Sequence, residues 1–253
     1  MSDSLSKLSG PEFPPTSALS SSSTPQNERR RYRIATELVH SDHTDQYGAS
    51  SMPVYQSATF YQTGANAGGE YDYTRSGNPT RSQLERHLAK IIGCQRCLAV
   101  STGMSALDVI TRVLKPGDEV VTGDDLYGGT NRLLKYLEVH SNIIVHHVDT
   151  TDIEAVKKVV SAKTAMALLE TPTNPLLKVC DIKAVAAVAH EANKDCLVVV
   201  DNTMMTPLFQ EPLKLGADVS YESGTKYLSG HHDVSSSFRI FHPAHHHPLT
   251  RLF

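Results

Sequence analysis

Cysteine is scarce in this chain of 253 residues, which has only Cys94, Cys97, Cys180 and Cys196. Four thiols so scattered exclude a disulfide framework. Cys94 and Cys97 form a C-x-x-C, but no second ligand pair and no thioredoxin-like surrounding accompanies it. They read as small buried thiols. No stretch approaches the roughly 20 apolar residues needed to cross a bilayer. Charge of one sign is also in short supply, at −3 net, and the one basic run, Arg29 to Arg31 with Arg33, is short. Nucleic acid and anionic membrane are therefore not expected as partners. The N-terminus lacks the basic-then-apolar order of a signal peptide. Asp3, Glu12 and Glu28 argue against a transit peptide, and the chain does not end in Ser-Lys-Leu. A soluble cytoplasmic protein is the expectation.

What is present is a core. Hydrophobic residues make up 40% of the sequence, enough for one large domain or one and a half. Residues 1–30 are Ser-, Pro- and Thr-rich, with Ser20 to Ser23 in a row, and cannot bury enough apolar surface to offset their ordering entropy. They read as a disordered tail. From about Thr80 helix and strand patterns alternate. Leu84, Leu88 and Ile91 share one helical face, with Gly93 as the stop. A strand at Leu98 to Val100 leads through Ser101-Thr102-Gly103 into a helix with Ala106, Leu107, Ile110 and Leu114 inward. Lys115-Pro116-Gly117 turns into a strand at Val120 and Val121.

Further along, a helix carries Leu133, Leu134 and Leu137, and a strand spans Ile143 to Val148. Asp152 caps a helix bearing Ile153, Val156 and Val160. A strand from Ala165 to Leu169 is followed by a helix starting at Asp181, a strand from Leu197 to Val200 and a short strand near Val219. Continuous apolar strands between amphipathic helices predict an α/β fold with a mostly parallel sheet covered on both faces. In such sheets ligands gather at the carboxyl ends of the strands.

The polar residues that stand out follow those apolar runs. Gly224-Thr225-Lys226-Tyr227 lies after the strand near Val219. A P-loop needs G-x-x-x-x-G-K-[ST], whereas the order here is Gly-Thr-Lys without the upstream glycine. Taken alone, Lys226 is a lysine in a polar turn. Asp201 ends Val198-Val199-Val200-Asp201, as a turn cap or as a carboxylate beside a ligand. Gly103 and Met104 open a helix, whose free N–H groups and dipole suit a phosphate. Tyr127, in Gly123-Asp124-Asp125-Leu126-Tyr127-Gly128-Gly129, is a loop tyrosine or a ring platform. Asn174, in Thr171-Pro172-Thr173-Asn174-Pro175, is otherwise an ordinary turn signal. Tyr71-Asp72-Tyr73-Thr74-Arg75-Ser76-Gly77-Asn78-Pro79 places an arginine fork, apt for phosphate, in a loop.

Together these blocks resemble the Cys/Met-metabolism enzymes that use pyridoxal 5′-phosphate. The segment Asp218 to His232 matches their lysine segment position by position, and the likeness covers roughly residues 33–234. It implies the large cofactor domain of an aspartate-aminotransferase-like fold. By this resemblance Lys226 is the Schiff-base lysine and later moves the substrate's Cα proton, and Tyr127 stacks on the ring. These two are the expected catalytic residues. Asp201 holds the pyridine nitrogen protonated, which makes the ring an electron sink, with Thr203 as a ring neighbour. Ser223, Thr225, Gly103 and Met104 bind the cofactor phosphate, and Asn174 lies near the phenolic oxygen. Tyr73 and Arg75 reach the phosphate of a neighbouring subunit in a homodimer or homotetramer. No metal is implied.

The runs Gly69 to Arg75 and Gly123 to Gly129 look most like the family's β-lyase branch, which cleaves cystathionine to homocysteine, pyruvate and ammonia in methionine biosynthesis. The γ-lyase and γ-synthase branches share the cofactor residues and stand as alternatives. The expected division is a tail at 1–30, an arm at 31–79 serving the neighbouring subunit, a pyridoxal-phosphate domain at 80–234 and a divergent tail at 235–253. After Val234 the family pattern is lost in Ser235-Ser236-Ser237-Phe238 and the His-rich stretch from His242 to His247. The expectation is that the family's small C-terminal domain is absent, with a truncated, inactive product as a further alternative. His242 to His247 lack the spacing and supporting carboxylates of a metal site.

Overall fold

The computed structural model describes residues 32–40, 42, 45–65, 68–234 and 237–241, the last five by backbone alone. The Ser/Pro-rich segment 1–30 and the histidines at 242–247 lie outside the described residues.

A short helix α1 (Ile34–Glu37) precedes the irregular arm, and α2 (Pro79–Ile92) opens the alternating part. Asn78 caps α2 by accepting from the Thr80 N–H, and Pro79 fits the first turn, where its missing N–H costs nothing. Gly93, at φ 73°, closes it in the left-handed region. The apolar stripe expected on α2 is only partly buried. Leu88 and Ile91 join Cys94, Cys97 and Leu213 in a cluster, whereas Leu84, one turn earlier, lies outside it and is 43% exposed.

The sheet is built from β1 (Arg96–Val100), β2 (Glu119–Gly123), β3 (Ile144–Val148), β4 (Thr164–Glu170), β5 (Leu197–Asp201), β6 (Val219–Ser223) and β7 (Ser237–Phe241). Its order is β1-β7-β6-β5-β4-β2-β3. Every adjacent pair is parallel except those of β7, which runs antiparallel between β1 and β6. Within the expected divergent tail, residues 237–241 are thus part of the sheet.

Strand alternation explains the burial. Met166 and Leu168 of β4, Leu197 and Val199 of β5 and Val219 of β6 face α3 (Gly103–Thr111) and α4 (Gly128–Ser141) in one core cluster. Ala167, Leu169, Val198 and Val200 face the opposite way, against α5 (Ile153–Val159) and α6 (Ile182–Ala192). The runs Ala165 to Leu169 and Leu197 to Val200 are therefore continuously apolar because both faces are covered. Asp152 and Asp181 cap α5 and α6 by accepting from the Glu154 and Ala184 N–H groups. Helix α3 ends at Thr111, so Leu114 packs on the core from the following turn. Pro116 disfavours helical backbone at Lys115 and so limits any extension. A short α7 (Thr206–Phe209) and a 3-10 turn, Pro212–Leu215, lead from β5 towards β6. Among the described residues no helix is long and apolar enough to cross a membrane.

Candidate active site

The same two-residue alternation decides what the strand ends present. Continuing Met166, Leu168 gives Glu170; continuing Leu197, Val199 gives Asp201; continuing Val219 gives Tyr221. All three point to the α3/α4 face at the carboxyl edge. The register aligns them, Glu170 opposite Asp201 and Asp201 opposite Tyr221. The loops after β1, β2 and β6 end at that edge too. They close a cleft of about 660 Å³ that takes in Gly103, Met104, Tyr127, Asn174, Asp201, Thr203, Ser223, Thr225 and Lys226. Nine of the eleven expected site residues thus meet in one place.

Tyr73 and Arg75 do not line this cleft. They belong to the exposed arm, where Thr59 and Tyr73 form an isolated bridge and the Arg75 guanidinium lies 5.0 Å above the Tyr73 ring.

Asp201 is held by neighbours just after β5 and on β6. Its Oδ1 accepts the Thr203 N–H at 2.9 Å, and the Thr203 hydroxyl in turn accepts the Ser223 N–H at 2.9 Å. The Tyr221 phenol also hydrogen-bonds to Asp201 and to Thr130. Burial pushes the Asp201 carboxyl above the usual carboxylate range, with these donors pulling the other way. Burial likewise moves Glu222, behind the cleft, to about 8, opposed by the Asn202 amide that donates to its Oε1 at 2.9 Å.

Lys226 sits in the turn after β6 with its N–H on the Ser223 carbonyl and its own carbonyl accepting from Gly230. The side chain is exposed to the cleft. Thr102 caps α3 by accepting from the Ser105 N–H. The N–H groups of Gly103 and Met104, the first two of the helix, have no acceptor within it.

Tyr127 is half exposed at the start of α4. A Cβ built on Gly129 would come within 2.4 Å of the Tyr127 ring and 2.7 Å of the Met104 Sδ. Only glycine there lets the ring lie across the first turn of α4.

This donor set fits pyridoxal phosphate. Two free helical amides and two hydroxyls, Ser223 and Thr225, suit a phosphate. A ring cradled over a glycine suits a flat heterocycle, a strand-end carboxylate suits its nitrogen, and a lysine suits its aldehyde. The volume lies within the usual 300–1,000 Å³ of small-molecule sites.

Glu170 and Tyr221 were assigned no role from the sequence. The signal for Glu170 was there: like Asp201, it is a carboxylate ending an apolar strand. The cysteines behave as expected. All four are buried and free, and burial pushes the Cys94 thiol up to about 12 and raises that of Cys97 well above its ordinary value. Among the described residues no cluster of His, Cys, Asp and Glu could hold a metal ion.

The chain is similar to cystathionine β-lyase of Neurospora crassa, 65% identical over 227 residues that make up 90% of this chain and 49% of that protein. It is 49% identical to cystathionine β-lyase of Schizosaccharomyces pombe, with 81% of this chain and 53% of the relative covered. It also resembles the crystal structure of cystathionine γ-synthase from Xanthomonas oryzae pv. oryzae in complex with cystathionine. There the TM-score is 0.80 at 36% identity, covering 85% of this chain and 56% of the other. The chain thus spans about half the length of the curated relatives it matches. The model of the Cys/Met metabolism PLP-dependent enzymes matches residues 35–238. With that match over most of its length, the chain belongs to the Cys/Met metabolism PLP-dependent enzyme family.

Proposed function

We propose that this chain provides the cofactor domain of a carbon–sulfur lyase that cleaves cystathionine by β-elimination to homocysteine, pyruvate and ammonia. The observation that carries the proposal is the convergence of Lys226, Asp201, Tyr127 and the α3 N-terminus on one cleft. The β-lyase reading is supported by the Neurospora and Schizosaccharomyces relatives and by the runs at Gly69 to Arg75 and Gly123 to Gly129. The proposed setting is the cytoplasm, within methionine biosynthesis.

Each residue has a defined task. Gly103 and Met104 offer their N–H groups, and Ser223 and Thr225 their hydroxyls, to the cofactor phosphate, with the α3 dipole favouring its charge. Tyr127 supplies a flat wall for the ring, and Asn174 lies near its phenolic oxygen. Asp201, oriented by Thr203 and Tyr221, holds a proton at the ring nitrogen. Lys226 carries the cofactor in the resting protein. With substrate in the cleft its Nζ would take the proton from substrate Cα. When bound, pyridoxal phosphate supplies an electron sink for the charge left at Cα, so that sulfur can leave from Cβ.

A γ-elimination reading keeps the same residues and adds a proton removal at Cβ; the likeness to the Xanthomonas γ-synthase structure favours considering it. The released keto acid separates the two. With cystathionine and the full-length protein, pyruvate in excess supports β-elimination, and 2-oxobutyrate in excess refutes it.

Tyr73 and Arg75 are assigned to a neighbouring subunit's phosphate, which makes the working protein a homo-oligomer. Mixing Lys226→Ala and Arg75→Ala chains is then expected to restore activity, because a mixed pair contains one site with neither change. No recovery after verified subunit exchange would place Arg75 at its own chain's site.

A further inference from the structure

The two loops that bring Tyr127 and Asn174 to the cleft come from different strands, β2 and β4, and one side chain joins them. Glu170 accepts the Tyr127 N–H through Oε2 at 2.9 Å and the Asn174 N–H through Oε1 at 2.9 Å. It is 7% exposed, lines the cleft and stands in register beside Asp201. Both of its oxygens are thus committed to main-chain donors of residues assigned to the cofactor ring. We propose that Glu170 is a positioning residue, a two-acceptor clasp that holds the ring tyrosine and Asn174 at a set spacing. The roles of Tyr127 and Asn174 rest on the reading above; the clasp itself does not.

The chemistry requires a carboxylate. Two N–H donors need two acceptor oxygens, and an amide offers one oxygen and an NH₂ group that would point at the second N–H. A protonated carboxyl fails in the same way. The groups facing Glu170 bear on that protonation: Asp201 from β5, Asp125 from the β2–α4 loop and Tyr221 from β6. Burial first, and then the two aspartates, push the carboxyl up to about 7, against the pull of the two N–H donors.

Asp125 ties the same loops further out, accepting from the Thr173 hydroxyl and, at 3.0 Å, from the Leu176 N–H. Loss of the Glu170 clasp therefore frees two amides without separating the loops.

The test is amide hydrogen exchange on the full chain without cofactor, read at single residues. Pro172 and Pro175 have no N–H, which simplifies assignment of the Asn174 amide. At pH 8, Glu170→Gln is expected to speed exchange at Tyr127 and Asn174 by roughly 10- to 100-fold, the range for a hydrogen bond to a charged acceptor. Amides of Val185 and Ala189 in α6 serve as the control and keep their rates. In the unaltered protein, protection of both amides, corrected for intrinsic rates, is expected to fall as pH drops through about 7; in Glu170→Gln it is flat. This profile needs no variant and stands even if the substitution impairs folding. Exchange within twofold of the unaltered protein, or a pH profile that survives the substitution, overturns the proposal. A negative result leaves cofactor attachment at Lys226 untouched, and failed attachment leaves the clasp untouched.

Discussion

Lys226→Ala is expected to lower turnover of the full-length protein by at least about 10²-fold and towards 10⁴-fold, the range for a positioned acid–base group. The cofactor's covalent attachment should be lost with it. The turn that carries Lys226 is held by main-chain bonds, from its N–H to the Ser223 carbonyl and from the Gly230 N–H to its own carbonyl. Alanine keeps both, so the fold should stand and the loss should be chemical. Thermal unfolding of the variant is expected to match that of the cofactor-free parent. Keto acid release within tenfold of the parent would remove Lys226 from the reaction.

Asp201→Asn should produce the second largest effect, with a different signature. The amide oxygen can still accept from the Thr203 N–H, so the position is retained while the charge is lost. Without that charge the ring nitrogen has no partner to hold its proton. Loss of one pre-organised electrostatic group of this kind costs about 10²–10³-fold in rate. The expected result is slowed exchange of the substrate Cα proton for deuterium, with the cofactor still attached at Lys226. A neighbour should also respond. Asp201 is one of the charges that raise the Glu170 carboxyl, which therefore titrates lower in the variant. Unchanged Cα exchange would show that Asp201 is a structural cap.

Much of this arrangement was legible in the sequence because it rests on local patterns. Apolar runs marked the parallel strands, and the cap at Asp152, the helix start at Asp181 (to within one residue) and the stop at Gly93 are single-residue signals that the structure bears out. The strand-end rule led to Asp201 and, applied evenly, would have led to Glu170. Period-two counting from Val219 would likewise have placed Tyr221 on the cleft face. Strand order was not legible. β7 enters between β1 and β6, over a hundred residues apart in sequence, and a Ser-rich approach carries no local sign of that pairing. The clasp of Glu170 was hidden for a related reason: its partners are main-chain N–H groups, and one of them lies 43 residues away. Leu84 shows the converse limit. Helical periodicity gives the stripe, but only the extent of the packing partner decides how much of it is covered.

The central claim is that Lys226 carries the cofactor in a cleft built from the carboxyl ends of the strands. Full-length protein loaded with pyridoxal phosphate, reduced with borohydride, digested and mapped by mass spectrometry tests it most directly. The account predicts one stable pyridoxyl adduct, on the peptide containing Thr225-Lys226-Tyr227. An adduct on any other lysine, or none on Lys226 in protein shown to bind the cofactor, would contradict it.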